Sequence, residues 1–291
     1  MRIANLSGRL VIVDGDRALD VEKASAGRFS SNPQAVYDDW NEFLGWAGEQ
    51  DASTGAEFDT DDLGPAVPRP AQVFAIGLNY ASHAGESGLD VPENPMVFTK
   101  FVSSFTGADV DVELTGDTVD WEVELVVVIG EGGRDIAEKD AWSHVAGLTV
   151  GQDISDRTVQ FWGNPAQFSI GKSLKGFAPI GPAVVTLDEV DASADRADLA
   201  IGCTIEHADG TTEVLQAGRT RDMIFSIPVL VAKLSSLVEL LPGDVIFTGT
   251  PDGVGLGRTP RVYLKAGETV TSEIESLGSI RQRFVPSKTR S

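Results

Sequence analysis

Apolar residues along this chain recur with two periods. Val119-Asp-Trp-Glu-Val-Glu-Leu-Val-Val-Val-Ile-Gly130 is mostly β-branched, aromatic or aliphatic, so it reads as a strand. Side chains alternate across a strand, which puts Glu122 and Glu124 on one face with Val126 and Val128, and Trp121, Val123 and Leu125 on the other. Shorter strands are expected at Arg9–Val13 and Ala18–Val21 about an Asp14-Gly15 turn, at Val73–Gly77, at Pro95–Lys100, and at Val145–Asp153 with Asp153 at its end. Helical spacing shows in two places. After Asn32-Pro33, the residues Ala35, Val36, Trp40, Phe43, Leu44 and Ala47 share a face. After Ser226, the stripe Ile227, Leu230, Val231, Leu234, Leu237 and Val238 is expected to be core throughout. Ser155 would cap a helical turn that sets Arg157 and Gln160 three apart on one side. Gly64-Pro-Ala-Val-Pro-Arg-Pro70 reads as a domain edge, so a small N-terminal domain is expected over 1–66 and a larger one over 67–291.

Composition narrows the classes of function. The 291 residues carry a formal charge of -21, which argues against a nucleic-acid partner and against an anionic membrane surface, both of which require excess Lys and Arg. No run reaches the ~20 apolar residues of a bilayer span, and Met1-Arg-Ile-Ala-Asn-Leu-Ser lacks the core of a signal peptide. The single cysteine, Cys203, cannot form an internal disulfide and sits in an apolar context as a small core residue. The expectation is a soluble cytoplasmic protein.

Chemistry concentrates at the start of the first strand. Two glutamates at the mouth of a buried face repel each other and resist desolvation, so a compensating positive charge is called for. A hard divalent cation held by Glu122, Glu124 and Asp153 would supply it; a half-exposed strand with two solvated glutamates is the other reading of the same residues. His83 and Glu86 stand three apart, which on a helical turn makes a histidine oriented by a carboxylate, the arrangement of a general base; a surface pair is the plainer alternative. Lys172 lies on a Gly/Ser loop and matters if that loop folds back toward the carboxylates. Gly253-x-Gly255-x-Gly257 lacks the last glycine of a dinucleotide fingerprint and is followed by Pro260, so a nucleotide-binding reading fails.

Several segments taken together resemble the fumarylacetoacetate hydrolase family, in particular its bacterial members grouped as 2-hydroxyhepta-2,4-diene-1,7-dioate isomerases. They are Gly77-Leu-Asn-Tyr-Ala-Ser-His-Ala-Gly-Glu86, Asp120-Trp-Glu-Val-Glu-Leu125, Gly147-Leu-Thr-Val-Gly-Gln-Asp-Ile-Ser-Asp-Arg157, Gln160, Gly171-Lys-Ser173, Ala178-Pro-Ile-Gly-Pro182 and Gly243-Asp-Val-Ile-Phe-Thr-Gly-Thr-Pro-Asp-Gly-Val-Gly255. The match spans roughly residues 70 to 285, and the order of so many pieces makes it specific. The resemblance implies an α+β fold with a β-rich, mixed-sheet catalytic domain behind a small N-terminal domain, and a homodimer. It implies Mg²⁺ or Mn²⁺ on Glu122, Glu124 and Asp153, water activated by His83 with Glu86, and Lys172 as a catalytic group. Tyr80, Arg157, Gln160 and Thr250 match substrate-contacting positions, and the substrates implied are small 2-oxo or 1,3-dicarbonyl acids. The activity implied is metal-dependent hydrolysis of a C–C bond in an acylpyruvate-like 2,4-diketo acid; oxaloacetate decarboxylation and dienoate keto–enol isomerisation are the alternatives on the same scaffold. Glycines 253, 255 and 257 would let the backbone approach the ligand. The chain departs from the pattern at Phe101, Gln152 and Asn79; the first two are expected to alter the shape of the pocket.

Overall fold

The computed structural model describes residues 1–82 and 93–287. The N-terminal strands are β1 (Arg2–Leu6), β2 (Arg9–Asp14), β3 (Arg17–Asp20) and β4 (Ala56–Glu57). There follow β5 (Val73–Gly77), β6 (Met96–Phe98), β7 (Phe105–Thr106), β8 (Asp109–Glu113), β9 (Val119–Asp120), β10 (Val123–Ile129), β11 (Val145–Gln152) and β12 (Ser155–Asp156). The remainder are β13 (Ala178–Thr186), β14 (Ala200–Glu206), β15 (Thr212–Arg219), β16 (Val245–Phe247), β17 (Thr269–Ile274) and β18 (Gly278–Val285). One large sheet runs β4-β3-β2-β1-β13-β11-β10-β16-β5-β6, and a second runs β15-β14-β17-β18-β8. Most neighbours are antiparallel, while β16–β5 and β18–β8 are parallel, so the fold is the β-rich mixed-sheet α+β arrangement that the sequence led us to expect.

Strand β10 sits at the centre because both of its faces are covered. Val123, Leu125, Val127 and Ile129 pack into a core shared with Ile201, Val270 and Ile280 of the second sheet. Val126 and Val128 pack with Ile3, Trp40, Phe43 and Phe247 on the opposite side. A strand buried on both faces selects an unbroken aliphatic run, which is what Leu125–Ile129 is. The first four strands extend this same sheet through β1–β13 pairing, and their apolar residues join the core beneath β10.

Three local expectations change. The turn before Gln160 is the helix Arg157–Gln160, and its cap is Asp156, whose carboxylate accepts the Thr158 and Val159 N–H groups; Ser155 instead donates its hydroxyl to the Asp153 carbonyl. The helix Ile227–Leu237 buries Ile227, Leu230, Val231 and Leu234, but its last residue, Leu237, is 78% exposed and Val238 beyond it is 41% exposed. The apolar face after Pro33 forms as a 3-10 turn, Ala35–Asp39, followed by the helix Trp40–Ala47, and it also buries Tyr37. Among the described residues no helix is long and apolar enough to cross a membrane.

Candidate functional site

The pairing of β10 with β11 assembles the acidic centre. Val123 opposes Gln152, and the Asp153 N–H continues the ladder onto the Glu122 carbonyl at 2.9 Å. Two residues of one strand and one of its neighbour are thus carried to the same end of the sheet. Carboxylate oxygens of Glu122, Glu124 and Asp153 lie within 4.8 Å of one another, and all three residues are buried. The half-exposed alternative for the two glutamates is excluded.

Three cations surround them. Lys172 does fold back: its Nζ lies 2.7 Å from Glu122 Oε2 and 2.7 Å from Asp153 Oδ2. Gly171 makes this possible, since a Cβ there would meet the Gln160 backbone nitrogen at 2.4 Å. Lys100 pairs with Asp153 Oδ1 from the other side and donates to the Lys172 carbonyl. Arg157 spans Asp120 Oδ2 at 2.6 Å and Glu122 Oε1 at 2.7 Å. Burial pulls the Lys100 ammonium below its ordinary range, with Asp153 opposing. Burial also acts to lower Lys172, but the charges of Asp153 and Glu122 outweigh it and the group is raised.

Among the described residues, four carboxylates, with Asp120 counted, face these three cations, which leaves one negative charge over. It falls on Glu124. Among the described residues, the hydrogen-bond donor to this carboxylate is the Gly249 N–H, at 2.8 Å on Oε2. Burial pushes Glu124 well above the carboxylate range, and Asp153 and Glu122 add to the shift against Lys172 and the Gly249 N–H. A buried, under-neutralised carboxylate beside two others is a donor set of hard oxygens suited to a divalent cation. Glu122, Glu124 and Asp153 therefore fit the group that the resemblance implies.

Around this centre lies a cavity of about 640 Å³, lined by Glu122, Glu124, Lys172, Arg157, Gln160 and Thr250 among others. Gln160 accepts from Arg157 Nη1 through Oε1 at 2.8 Å, which leaves its amide N–H groups for the cavity. Thr250 Oγ1 accepts from Gln216 Nε2 at 2.8 Å, so its own hydroxyl proton is likewise free to donate. Arg157 commits its Nε and both terminal nitrogens to Asp120, Glu122 and Gln160. Tyr80 stands apart from the cavity wall: its ring is buried, and its phenol oxygen is without a hydrogen-bond partner among the described residues. Burial raises that phenol, and Glu124 adds to the effect. His83 and Glu86 lie outside the described residues.

Four supporting residues complete the site. The sequence assigned no role to Lys100, Asp120 or Gln216, and it marked Gln152 only as a departure expected to alter the pocket, which Gln152 does not line. Lys100 ends an apolar strand, an odd place for a lysine, and that was its one signal. Asp120 takes N–H groups from Trp121, Gly255 and Leu256 as well as Arg157, so it ties the glycine loop to the site. Gln152 caps the Glu122 N–H at 2.9 Å and reaches Ser272 with its amide. Gln216 arrives from β15, far away in sequence, and nothing local marks it. The glycines serve a different purpose from the one expected. A Cβ at Gly255 would meet the Val262 carbonyl at 1.8 Å and one at Gly253 the Leu215 carbonyl at 2.2 Å, so both make room for protein and only Gly257 reaches the cavity. Phe101 is 47% exposed and off the cavity wall, so it does not shape the pocket. Asn79 donates to the Phe225 and Thr248 carbonyls and accepts the Phe225 N–H, a set of bonds that a carboxylate could not make.

With this geometry established, the chain can be set beside known proteins. Residues 72–285 match the family described as Fumarylacetoacetate (FAA) hydrolase C-terminal, and the chain belongs to that family. It is 45% identical over 221 residues to the human mitochondrial oxaloacetate tautomerase FAHD2A, covering 75% of this chain and 68% of that protein. The solved structure of a provisionally assigned HpcE protein from Mycobacterium smegmatis superposes with a TM-score of 0.92 at 49% identity, covering 99% of this chain and 100% of that one. Maleylpyruvate hydrolase from Sphingobium sp. SYK-6, solved with manganese(II) and pyruvate, gives 0.79 at 27% identity, with 99% and 100% covered.

Proposed function

We propose that this protein catalyses keto–enol chemistry on a small 2-oxo acid, with the interconversion of keto and enol oxaloacetate as the leading case. The observation that carries this reading is the cluster of Glu122, Glu124 and Asp153, whose two glutamates line the cavity together with Lys172. Those three carboxylates would hold Mg²⁺ or Mn²⁺, which when bound withdraws charge from the oxygens of a 2-oxo acid and so stabilises its enolate. The chain's own groups do the rest. The Gln160 amide and the Thr250 hydroxyl donate to oxygens on which negative charge develops, and Lys172 adds a fixed positive charge. Arg157 holds Glu122 and Gln160 in place. His83, oriented by Glu86, would move the proton between carbon and solvent. Tyr80, buried behind the cavity near Glu124, would reach the substrate only through the groups in front of it.

The curated relative at 45% identity acts on oxaloacetate by name, which weights tautomerisation above the C–C hydrolysis expected from the sequence. Hydrolysis of an acylpyruvate remains the second reading. It is favoured by the likeness to maleylpyruvate hydrolase and by the His83–Glu86 pair, which tautomerisation would use only for protons but hydrolysis would need to activate water. Decarboxylation of oxaloacetate is the third outcome. We also propose a homodimer, which light scattering tests, and a cytoplasmic location, which fractionation tests.

The deciding experiment follows enol absorbance and total substrate together, for oxaloacetate and a panel of acylpyruvates, with Mn²⁺ or a chelator. Faster decay of the enol at constant total oxaloacetate supports tautomerisation. Loss of total oxaloacetate identifies a decarboxylase, and metal-dependent cleavage of acylpyruvates that vanishes in His83→Ala identifies a hydrolase. No acceleration with any substrate overturns the proposal.

A further inference from the structure

Beyond the acidic centre, the same cavity is lined by Thr259, Arg258, Arg261 and Tyr263. The arginines on its wall differ in what already occupies them. Arg157 is bound to Asp120 and Glu122. Arg258 is bound to Glu213 at 2.6 Å and lies 5.2 Å over the Trp121 ring. Arg261 makes no ion pair or side-chain hydrogen bond among the described residues, and it is exposed at the cavity wall. Its backbone, however, is anchored. The next residue, Val262, donates its N–H to the Gly255 carbonyl at 3.1 Å, and Leu264 donates to the Val119 carbonyl at 2.8 Å. The segment is thereby tied both to the glycine loop that grips Asp120 and to the strand that leads into Glu122.

Resting on the 2-oxo acid reading above, we infer that Arg261 is a specificity-determining residue that pairs with a second carboxylate at the far end of the substrate, so that the preferred ligand is a 2-oxo dicarboxylic acid. A planar guanidinium presents two parallel N–H groups that match a carboxylate. The need for such a group is set by the rest of the protein. A chain of formal charge -21 repels a dianion at long range, and a cation on the cavity wall offsets that field where the ligand enters. Arg157 cannot serve in this way without giving up buried partners, and Arg258 would have to leave Glu213 and the Leu215 carbonyl.

The test measures binding, not turnover, by calorimetry on the Mn²⁺-loaded protein. The probes are 2-oxoglutarate and 2-oxopentanoate, which share a chain length and differ in the terminal carboxylate. Wild type should bind 2-oxoglutarate about tenfold more tightly, the scale of one exposed charge-assisted pair. Arg261→Leu should bring the two affinities together, and Arg261→Lys should restore part of the difference. A preference that persists in Arg261→Leu overturns the inference, as does a wild type that binds both probes equally; in either case the 2-oxo acid reading stands. A wild type that binds neither probe overturns this inference, whereas the 2-oxo acid reading falls only if oxaloacetate and the acylpyruvates are also left unchanged.

Discussion

Two ion-pair clusters in this molecule use the same side-chain chemistry to opposite effect. On the paired strands β8 and β18, Asp109 and Asp111 meet Arg281 and Arg283 in solvent, with Arg281 52% exposed and Asp111 61% exposed. At the end of β10 and β11, Asp120, Glu122, Glu124 and Asp153 meet Lys100, Lys172 and Arg157 with almost no exposure. The outer cluster is balanced, and water would solvate either half if its partner left. Among the described residues the inner one is short of one positive charge, and its carboxylates are too buried for water to repair the deficit freely. The difference shows that an acidic cluster becomes a candidate site through being under-neutralised where solvent is excluded, not through being acidic.

Removing the surplus charge should sharpen that contrast most. Glu124→Gln is expected to lower metal-dependent activity roughly a thousandfold, the scale of losing a cation's charge stabilisation. With a chelator present, the same variant should melt at a higher temperature than wild type, because a desolvated carboxylate has been replaced by a neutral amide. A lower melting temperature would mean that Glu124 is satisfied as it stands. Lys100→Met takes a cation from the buried side and should cost about 3 kcal/mol in urea unfolding, since it leaves part of the Asp153 charge unpaired. On the outer strands, Arg281→Ala should cost under about 1 kcal/mol, and the loss should fade in high salt. A loss there as large as that of Lys100→Met would break the comparison.

The smallest effect concerns pH. His207 lies 2.9 Å from Glu268 and 3.7 Å from Glu213, and its hydrogen bond to Glu268 raises its pKa, with both carboxylates reinforcing the shift. A raised histidine stabilises the fold fully below its unfolded value, about 6.5, and the contribution is lost as pH rises through the folded value. Wild type should therefore lose more of its urea midpoint than His207→Gln between about pH 5.5 and about pH 9. Equal losses would show that the pair is too solvated to matter.

Much of the centre was legible from residues alone. Alternation along Trp121–Val128 assigned Glu122 and Glu124 to one face, and that face proved buried because apolar residues continue it. The Lys172 loop was recognised as significant only on condition that it folded back, and the condition is met by Gly171 packing on Gln160. The helix Ile227–Leu237 illustrates the opposite case. Periodicity assigned Leu237 to the core, but the buried face ends at Leu234 and Ser235, and the residue that closes the helix lies in solvent. The proposed boundary near residue 66 is a further case. Proline density suggested an edge there, while β1 pairs with β13 and Ile3 shares a core with Val126, so unfolding of a chain lacking residues 1–66 would test whether the rest stands alone.

Sequence by itself determined the family, the strand that carries the glutamates and the chemical kind of group they could hold, because these depend on residue type and on spacing within single segments. Tertiary structure decided which cations neutralise them, that Asp120 binds the glycine loop, that Gln216 aims Thr250, and that Arg261 alone among the arginines on the cavity wall has no partner among the described residues. Each of these joins residues from separate segments, and whether a charge is paired or left over is a sum across all the elements that meet there, which no one stretch of chain records.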